Sequence, residues 1–301
     1  MTEQAATYDS RHEKLAERLT AELRSRLDLI GVDWVDDDDD DDEDDEEDED
    51  RGKDEPSQLD RKMPLDVEGA KGEKKQKKHV RLLDYAGGTG MMSRAFAPYV
   101  TQCVSIDLSE NMVAAYNARA RNQGISEDEM FAVVGDLVSA SDPDPPGLSP
   151  PQFRDFDIAV VGGGLHHFAD PALAAARLVA RLKPGGVLLI WDFMAPRDDD
   201  DEDGGRGGDH GEDGSGDNDA GASVAQQWQQ AHHTITQHHG FTERGIREIY
   251  EKAGAGQNFT LVDLGAGFMF GHGSGHATDK EDREKMRRRV FLSWGEKVGV
   301  S

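Results

Sequence analysis

The sequence predicts an α/β fold, a doubly wound and mostly parallel sheet with helices on both faces. Three observations carry this reading. Short apolar runs of strand length alternate with helical patterns from residue 80 to residue 194, and such alternation demands right-handed βαβ crossovers. Three of those runs end in an acid, at Asp84, Asp107 and Asp136. The first run is followed directly by a turn with three glycines, in the stretch "RLLDYAGGTGMM".

The elements follow in chain order. Residues 1–35 form an N-terminal helical segment, because Leu15, Leu19, Leu23, Leu27 and Ile30 fall on one helical face. Residues 36–79 hold an unbroken acidic run and then "KGEKKQKKH". Like charges repel there and no apolar surface can be buried, so a disordered linker is expected. Residues 80–194 are the core, with strands at 80–85, 101–107, 130–135, 155–162 and 186–192. Helices are expected between them near 91–98, 109–123 and 170–182. Residues 195–222 are rich in Asp, Gly and Ser and read as a second disordered acidic loop. Residues 223–301 return to the same domain with a loop, a helix near 242–253 and two apolar runs, "FTLVDLGAGFMF" and "RRVFLSWG". Those two runs suit an antiparallel pair at the sheet edge.

The formal charge of -27 is concentrated in the two tracts. Residues 36–50 and 197–219 together carry a net 24 negative charges, which leaves about -3 for the remaining chain. The folded part is therefore nearly neutral and is not a basic reader of nucleic acid. Cys103 is the only cysteine, so no disulfide framework exists within the chain and a reducing, cytoplasmic setting is expected. The basic run "KKQKKH" leaves a nuclear address as the alternative. The charged N-terminus has no secretory apolar core, and no apolar segment approaches the roughly 20 residues that a membrane helix needs.

The glycine turn indicates its ligand by what it lacks. A dinucleotide fingerprint needs a glycine three residues after Gly90, and Ser93 stands there. Asp84 at the mouth of the loop suits a cation better than a pyrophosphate, because like charges repel. S-adenosyl-L-methionine (SAM) carries a sulfonium and an ammonium group. On a parallel sheet, ligands bind beyond the C-terminal strand ends. Asp107 there can accept hydrogen bonds from ribose hydroxyls, and Asp136 from an adenine amino group. Each of these acids also has an ordinary reading as a helix cap or a solvated turn residue.

With these residues in view, the chain resembles the class I SAM-dependent methyltransferases with a UbiE-like core. The resemblance rests on "LLDYAGGTG", "VSIDLSENM", "VVGDL", "FDIAVVGGGLHHF" and "LKPGGVLLIWDF". It covers residues 80–194 well and 223–301 loosely. It implies a seven-stranded doubly wound sheet with an antiparallel edge strand, and SAM as cofactor. It implies Asp84, Gly88 and Gly90 at the methionine end, Asp107 at the ribose and Asp136 at the adenine, with Ala86, Leu108, Met112 and Leu137 also among the cofactor-binding residues. Ala86 stands where the family usually has its first glycine. Alanine is accommodated if φ is negative there, so weaker or unchanged binding is expected. The acidic inserts are foreign to the family pattern.

Methyl transfer asks little of side chains, since the sulfonium is already a good leaving group. The histidines are the candidates for a base or an orienting group. His166 and His167 follow the fourth strand; His232, His233, His238 and His239 lie before the penultimate helix. His167 and His239 are the expected pair at the acceptor site, against the plainer reading of loop hydrogen bonding. Trp191 and Asp192 are further candidates to border the same space, with core packing the plainer role for Trp191. No metal site is expected, because Cys103 is the only cysteine and supplies no ligand set. The expected partner is a small-molecule methyl acceptor, with no nucleic acid and no membrane. The alternative is a non-catalytic or protein-directed relative that holds basic proteins through its acidic tracts.

Overall fold

The computed structural model describes residues 3–35, 78–195, 240–269 and 287–299. The acidic tracts 36–50 and 197–219, and His239 with the other three histidines before the penultimate helix, lie outside the described residues.

Seven strands form one sheet: β1 Arg81–Tyr85, β2 Gln102–Asp107, β3 Met130–Val134, β4 Phe156–Gly162, β5 Leu182–Phe193, β6 Gln257–Met269 and β7 Arg287–Glu296. Their order is β3-β2-β1-β4-β5-β7-β6. The first five run parallel to one another. The last two runs pair antiparallel at the edge, as expected. The strand that reverses direction, β7, lies inside β6 and also pairs antiparallel with β5. The strand order turns back between β1 and β4, and ligands of doubly wound sheets bind beyond such a point.

Alternation along the strands builds two cores. Leu82, Cys103, Ile158, Val160 and Leu189 face one side, whereas Leu83, Val104, Ala159, Val161 and Leu188 face the other. The first face is covered by α1 (Glu3–Arg24), α2 (Leu27–Ile30), α3 (Met91–Phe96) and α4 (Glu110–Asn122). The second is covered by α5 (Pro171–Val179) and α6 (Glu243–Ala253). The four-residue spacing of leucines in the N-terminal segment has its reason here. Leu15, Leu19 and Leu23 are buried on one stripe of α1, and Ile30 closes it after a break at Ser25 and Arg26. Trp34 then stacks on Phe96 with ring centroids 5.5 Å apart.

The helix starts carry local signals. Ser109 caps α4 by accepting from the Met112 N–H, Asp170 caps α5 from the Leu173 N–H with Pro171 next to it, and Thr242 caps α6 from the Gly245 N–H. Helix α5 stops at Val179, three residues earlier than the pattern suggests, because Leu182 already pairs with Phe156.

Candidate active site

The site is the C-terminal edge of β1, β2, β3, β4 and β5, where the loop after β1 faces the loop after β4. Three backbone positions in the first loop have positive φ: Ala86 at 54°, Gly88 at 56° and Gly90 at 85°. The turn is closed by a Gly90 N–H to Gly87 carbonyl bond of 2.8 Å. Glycine is required at two places by close approach. A Cβ on Gly87 would lie 2.3 Å from Ser105 Oγ and 2.8 Å from Asp84 Cγ, and one on Gly90 would lie 2.6 Å from the Tyr116 ring. Arg94 and Arg119 both donate to the Thr89 carbonyl, at 2.7 and 2.8 Å. The loop is thus pinned from outside as well as from below.

Ala86 departs from the expectation of a negative φ. Its N–H is held by the Ile106 carbonyl at 2.8 Å, and the chain must turn immediately afterwards. A left-handed backbone costs an L-residue about 1–2 kcal/mol, so this position carries strain that a glycine would not.

Asp84 is fully buried beneath the loop, not at its mouth. Its Oδ2 accepts from Ser93 N at 3.0 Å and from Ser93 Oγ at 2.7 Å, which ties β1 to the first turn of α3. Its Oδ1 is buried with no hydrogen-bond partner. Burial pushes this carboxyl up to about 6, against the pull of the Ser93 donors. Ser105 Oγ and Tyr116 Oη are buried and unpartnered on the same face of the sheet.

Asp107 lies half-buried at the end of β2. Its Oδ2 accepts from Gly88 N at 2.9 Å and its Oδ1 from Ser109 N at 2.8 Å. One carboxylate therefore joins the glycine loop to the start of α4, and each oxygen keeps a further lone pair. Leu108 beside it is 65% exposed, an apolar side chain held out at the site rim. Met112 is half-buried one turn into α4. After β3, Asp136 Oδ1 accepts from Val138 N at 2.8 Å and lies 3.3 Å from the Tyr85 hydroxyl. Leu137 turns its side chain into the core, and its N–H reaches the same Tyr85 hydroxyl at 3.2 Å. Burial, then the charge of Asp136, push the Tyr85 phenol above its ordinary range.

On the far side of the crevice, the structure brings together two residues 26 apart. Asp192, fully buried at the end of β5, accepts from His166 Nδ1 at 2.7 Å through Oδ1 and from His166 N at 3.0 Å through Oδ2. The Phe193 N–H adds a third bond at 2.7 Å. The His166 ring packs against Phe193 and lies 3.9 Å, centroid to centroid, from that of His167. His167 is exposed, whereas His166 is buried. The sequence pointed to His167; the side chain fixed by a carboxylate is its neighbour. The signal was present in the tandem histidines after one strand and the acid at the end of the next.

Trp191 has a packing role. Its ring lies where a Cβ on Gly162 or Gly163 would be, at 2.7 and 2.5 Å, so the glycines after β4 make room for it.

Comparison with known proteins identifies the family. The profile of a family described as Methyltransferase domain matches residues 57–256. An uncharacterized methyltransferase of Schizosaccharomyces pombe is 34% identical over 119 residues, covering 40% of this chain and 40% of that protein. The ubiquinone/menaquinone biosynthesis C-methyltransferase UbiE of Shewanella piezotolerans is 32% identical over 123 residues, or 40% of this chain and 45% of its own length. The chain thus spans less than half the length of these curated relatives. Among solved structures, the YcgJ protein of Bacillus subtilis superposes with a TM-score of 0.47 at 18% identity, over 74% of this chain and 93% of that one.

Proposed function

The chain belongs to the methyltransferase-domain family, and from that membership we propose that it transfers a methyl group from SAM to a small-molecule acceptor at the C-terminal edge of the sheet. The observation that carries this reading is the row of carboxylates at three successive strand ends beside a glycine turn with positive φ.

The residues fit that cofactor. Asp84 Oδ1 is a buried carboxylate oxygen with no partner, and its charge beneath the loop favours an ammonium group above it. Gly88 and Gly90 leave the backbone bare for close approach. The remaining lone pairs of Asp107 suit a ribose diol. The exposed Leu108 side chain suits the face of a flat ring, with Met112 next to it. Asp136 and the backbone of Leu137 take the adenine edge. Ala86 closes the turn without a contact of its own. When bound, SAM supplies a methyl carbon on a sulfonium, already activated for displacement.

The protein's own work is mainly positioning, worth about 7–11 kcal/mol when donor and acceptor are held at attack distance. A base adds about 10²–10⁴-fold. His166 is the residue built for that second role. Asp192 holds Nδ1–H, which leaves Nε2 as the accepting nitrogen. His167, with its ring against that of His166, lines the same space, and His239 is kept as the second histidine expected at the acceptor site. An oxygen or nitrogen acceptor would lose its proton to His166 Nε2. A SAM-consumption screen over a metabolite panel, with mass detection of one added methyl group, tests the activity. The absence of both SAM binding and turnover across the panel would refute it.

A further inference from the structure

The connection from β3 to β4 folds back along α5 on the second face of the sheet. It contains two short 3-10 turns, Pro146–Leu148 and Pro151–Phe153, whose Leu148 and Phe153 side chains are buried. Between this connection and α5 is a cavity of about 270 Å³. Three guanidinium groups and one carboxylate line it: Arg154, Arg177, Arg181 and Asp144, with Leu137 and Pro143 in the wall.

The charges do not balance. Arg181, 4% exposed, donates to the Leu148 and Phe153 carbonyls and to Asp144 Oδ1. Arg154 donates to both Asp144 oxygens, at 2.9 and 2.8 Å. Asp144 is therefore already shared by two arginines that staple the connection in place. Arg177 stands one helical turn before Arg181, and its Nε is buried with no hydrogen-bond partner among the described residues. Burial, then repulsion from Arg154, lower the basicity of Arg181, and Arg177 adds to that repulsion. The chain outside the two acidic tracts is nearly neutral, at about -3, so a lining with an excess of two positive charges is a local concentration of cations. Arg177 is half-buried and the Arg154 side chain is 41% exposed, so water screens this excess, and a bound anion would pair it directly.

We propose that this cavity binds a small phosphate-bearing anion, with Arg177 as the group held ready for it. A dianion matches the charge excess. The guanidinium fork matches phosphate oxygens two at a time. The volume is near the lower end of the roughly 300–1,000 Å³ usual for ligand pockets, which suits a phosphate with at most a small carbon body.

The test uses the full chain and follows its melting temperature, then its binding heat, with inorganic phosphate, glycerol phosphate, succinate and chloride at matched ionic strength. A saturable stabilisation by phosphate or glycerol phosphate, absent with chloride, is expected. Tighter binding of glycerol phosphate identifies a phosphomonoester as the ligand, and tighter binding of phosphate identifies the free ion. Arg177→Gln removes no hydrogen bond of the fold and should melt like the wild type without anion. Its phosphate affinity should fall on the order of 10-fold or more, as expected for lost charged hydrogen bonds. Arg244→Gln, which removes an equal charge from an exposed position of α6, should bind as the wild type does. No saturable response, equal affinity in Arg177→Gln, equal loss in Arg244→Gln, or succinate binding as tightly as phosphate would each overturn the proposal.

Discussion

Replacing Asp84 by asparagine should make the protein more stable and at the same time deprive it of its cofactor. The carboxyl is fully buried and its burial raises it from 3.8 to about 6. Between those two values the folded chain holds a proton that the unfolded chain has released. Stability from this group is thus fully present below pH 4 and is lost as pH rises through about 6. Above that point the ionised carboxylate costs about 3 kcal/mol, from a shift of about 2 pH units at 1.36 kcal/mol each. Asparagine never ionises and keeps an oxygen for the two Ser93 donors. Replacing charged by neutral hydrogen bonds returns about 1 kcal/mol of that gain. The net expectation is a stabilisation of about 2 kcal/mol at pH 8, or roughly 4–8 °C in Tm, shrinking to nothing or reversing below pH 4. Denaturant unfolding of both proteins across that pH range is the assay. A variant less stable than the wild type at pH 8 would refute the reasoning, since it would show the buried charge to be satisfied already. SAM titrated into the same variant should give no binding heat, because an acid retained at such a cost has its complement in the ligand.

The strain at Ala86 gives a second case. Ala86→Gly relieves about 1–2 kcal/mol of left-handed strain against about 0.4–1 kcal/mol of added unfolded-chain entropy, so it should stabilise slightly by denaturant titration and leave SAM affinity unchanged or improved; destabilisation would show that φ is negative in solution. Gly90→Ala places a Cβ 2.6 Å from the Tyr116 ring at a φ of 85°. It should cost about 2 kcal/mol or more and abolish SAM binding, and a silent substitution would show the loop to be remodelled. His166→Ala should lower turnover roughly 10²-fold or more with SAM affinity unchanged, read by single-turnover methylation once an acceptor is found. Asp192→Asn should reproduce much of that loss by disturbing the tautomer, while normal turnover in both variants would leave positioning as the whole of catalysis.

Much of the fold was legible because each element carried a local signal. The parallel strands are apolar on both faces, and three of them run into an acid at the C-terminal end. The N-terminal helix repeats leucine every fourth residue, and Ser109, Asp170 and Thr242 mark helix starts by their capping chemistry. What sequence could not give depends on register. Ala86 has positive φ because its N–H is captured by Ile106 on the next strand. Asp84 is beneath the loop because it shares a sheet face with Leu82, Cys103 and Ser105, a consequence of period-two alternation that the glycines drew attention away from. His166 meets Asp192 because β4 and β5 pair with Gly162 opposite Trp191, which puts the end of one strand beside the turn after the other. The arginine cavity depends on a proline-rich connection returning over α5, and no spacing rule anticipates that.

Calorimetric titration of SAM into the full chain and into Asp107→Ala tests the central claim most directly. Asp107 joins the glycine loop to α4 and is the acid assigned to the ribose. The account predicts one-to-one binding to the wild type with a micromolar-range Kd, of the order common for metabolic substrates. It predicts an affinity in Asp107→Ala weaker by about 1–3 kcal/mol, the cost of leaving buried polar groups unpaired. Absence of binding in the wild type, or an unchanged Kd in Asp107→Ala, would contradict the placement of the cofactor along these strand ends.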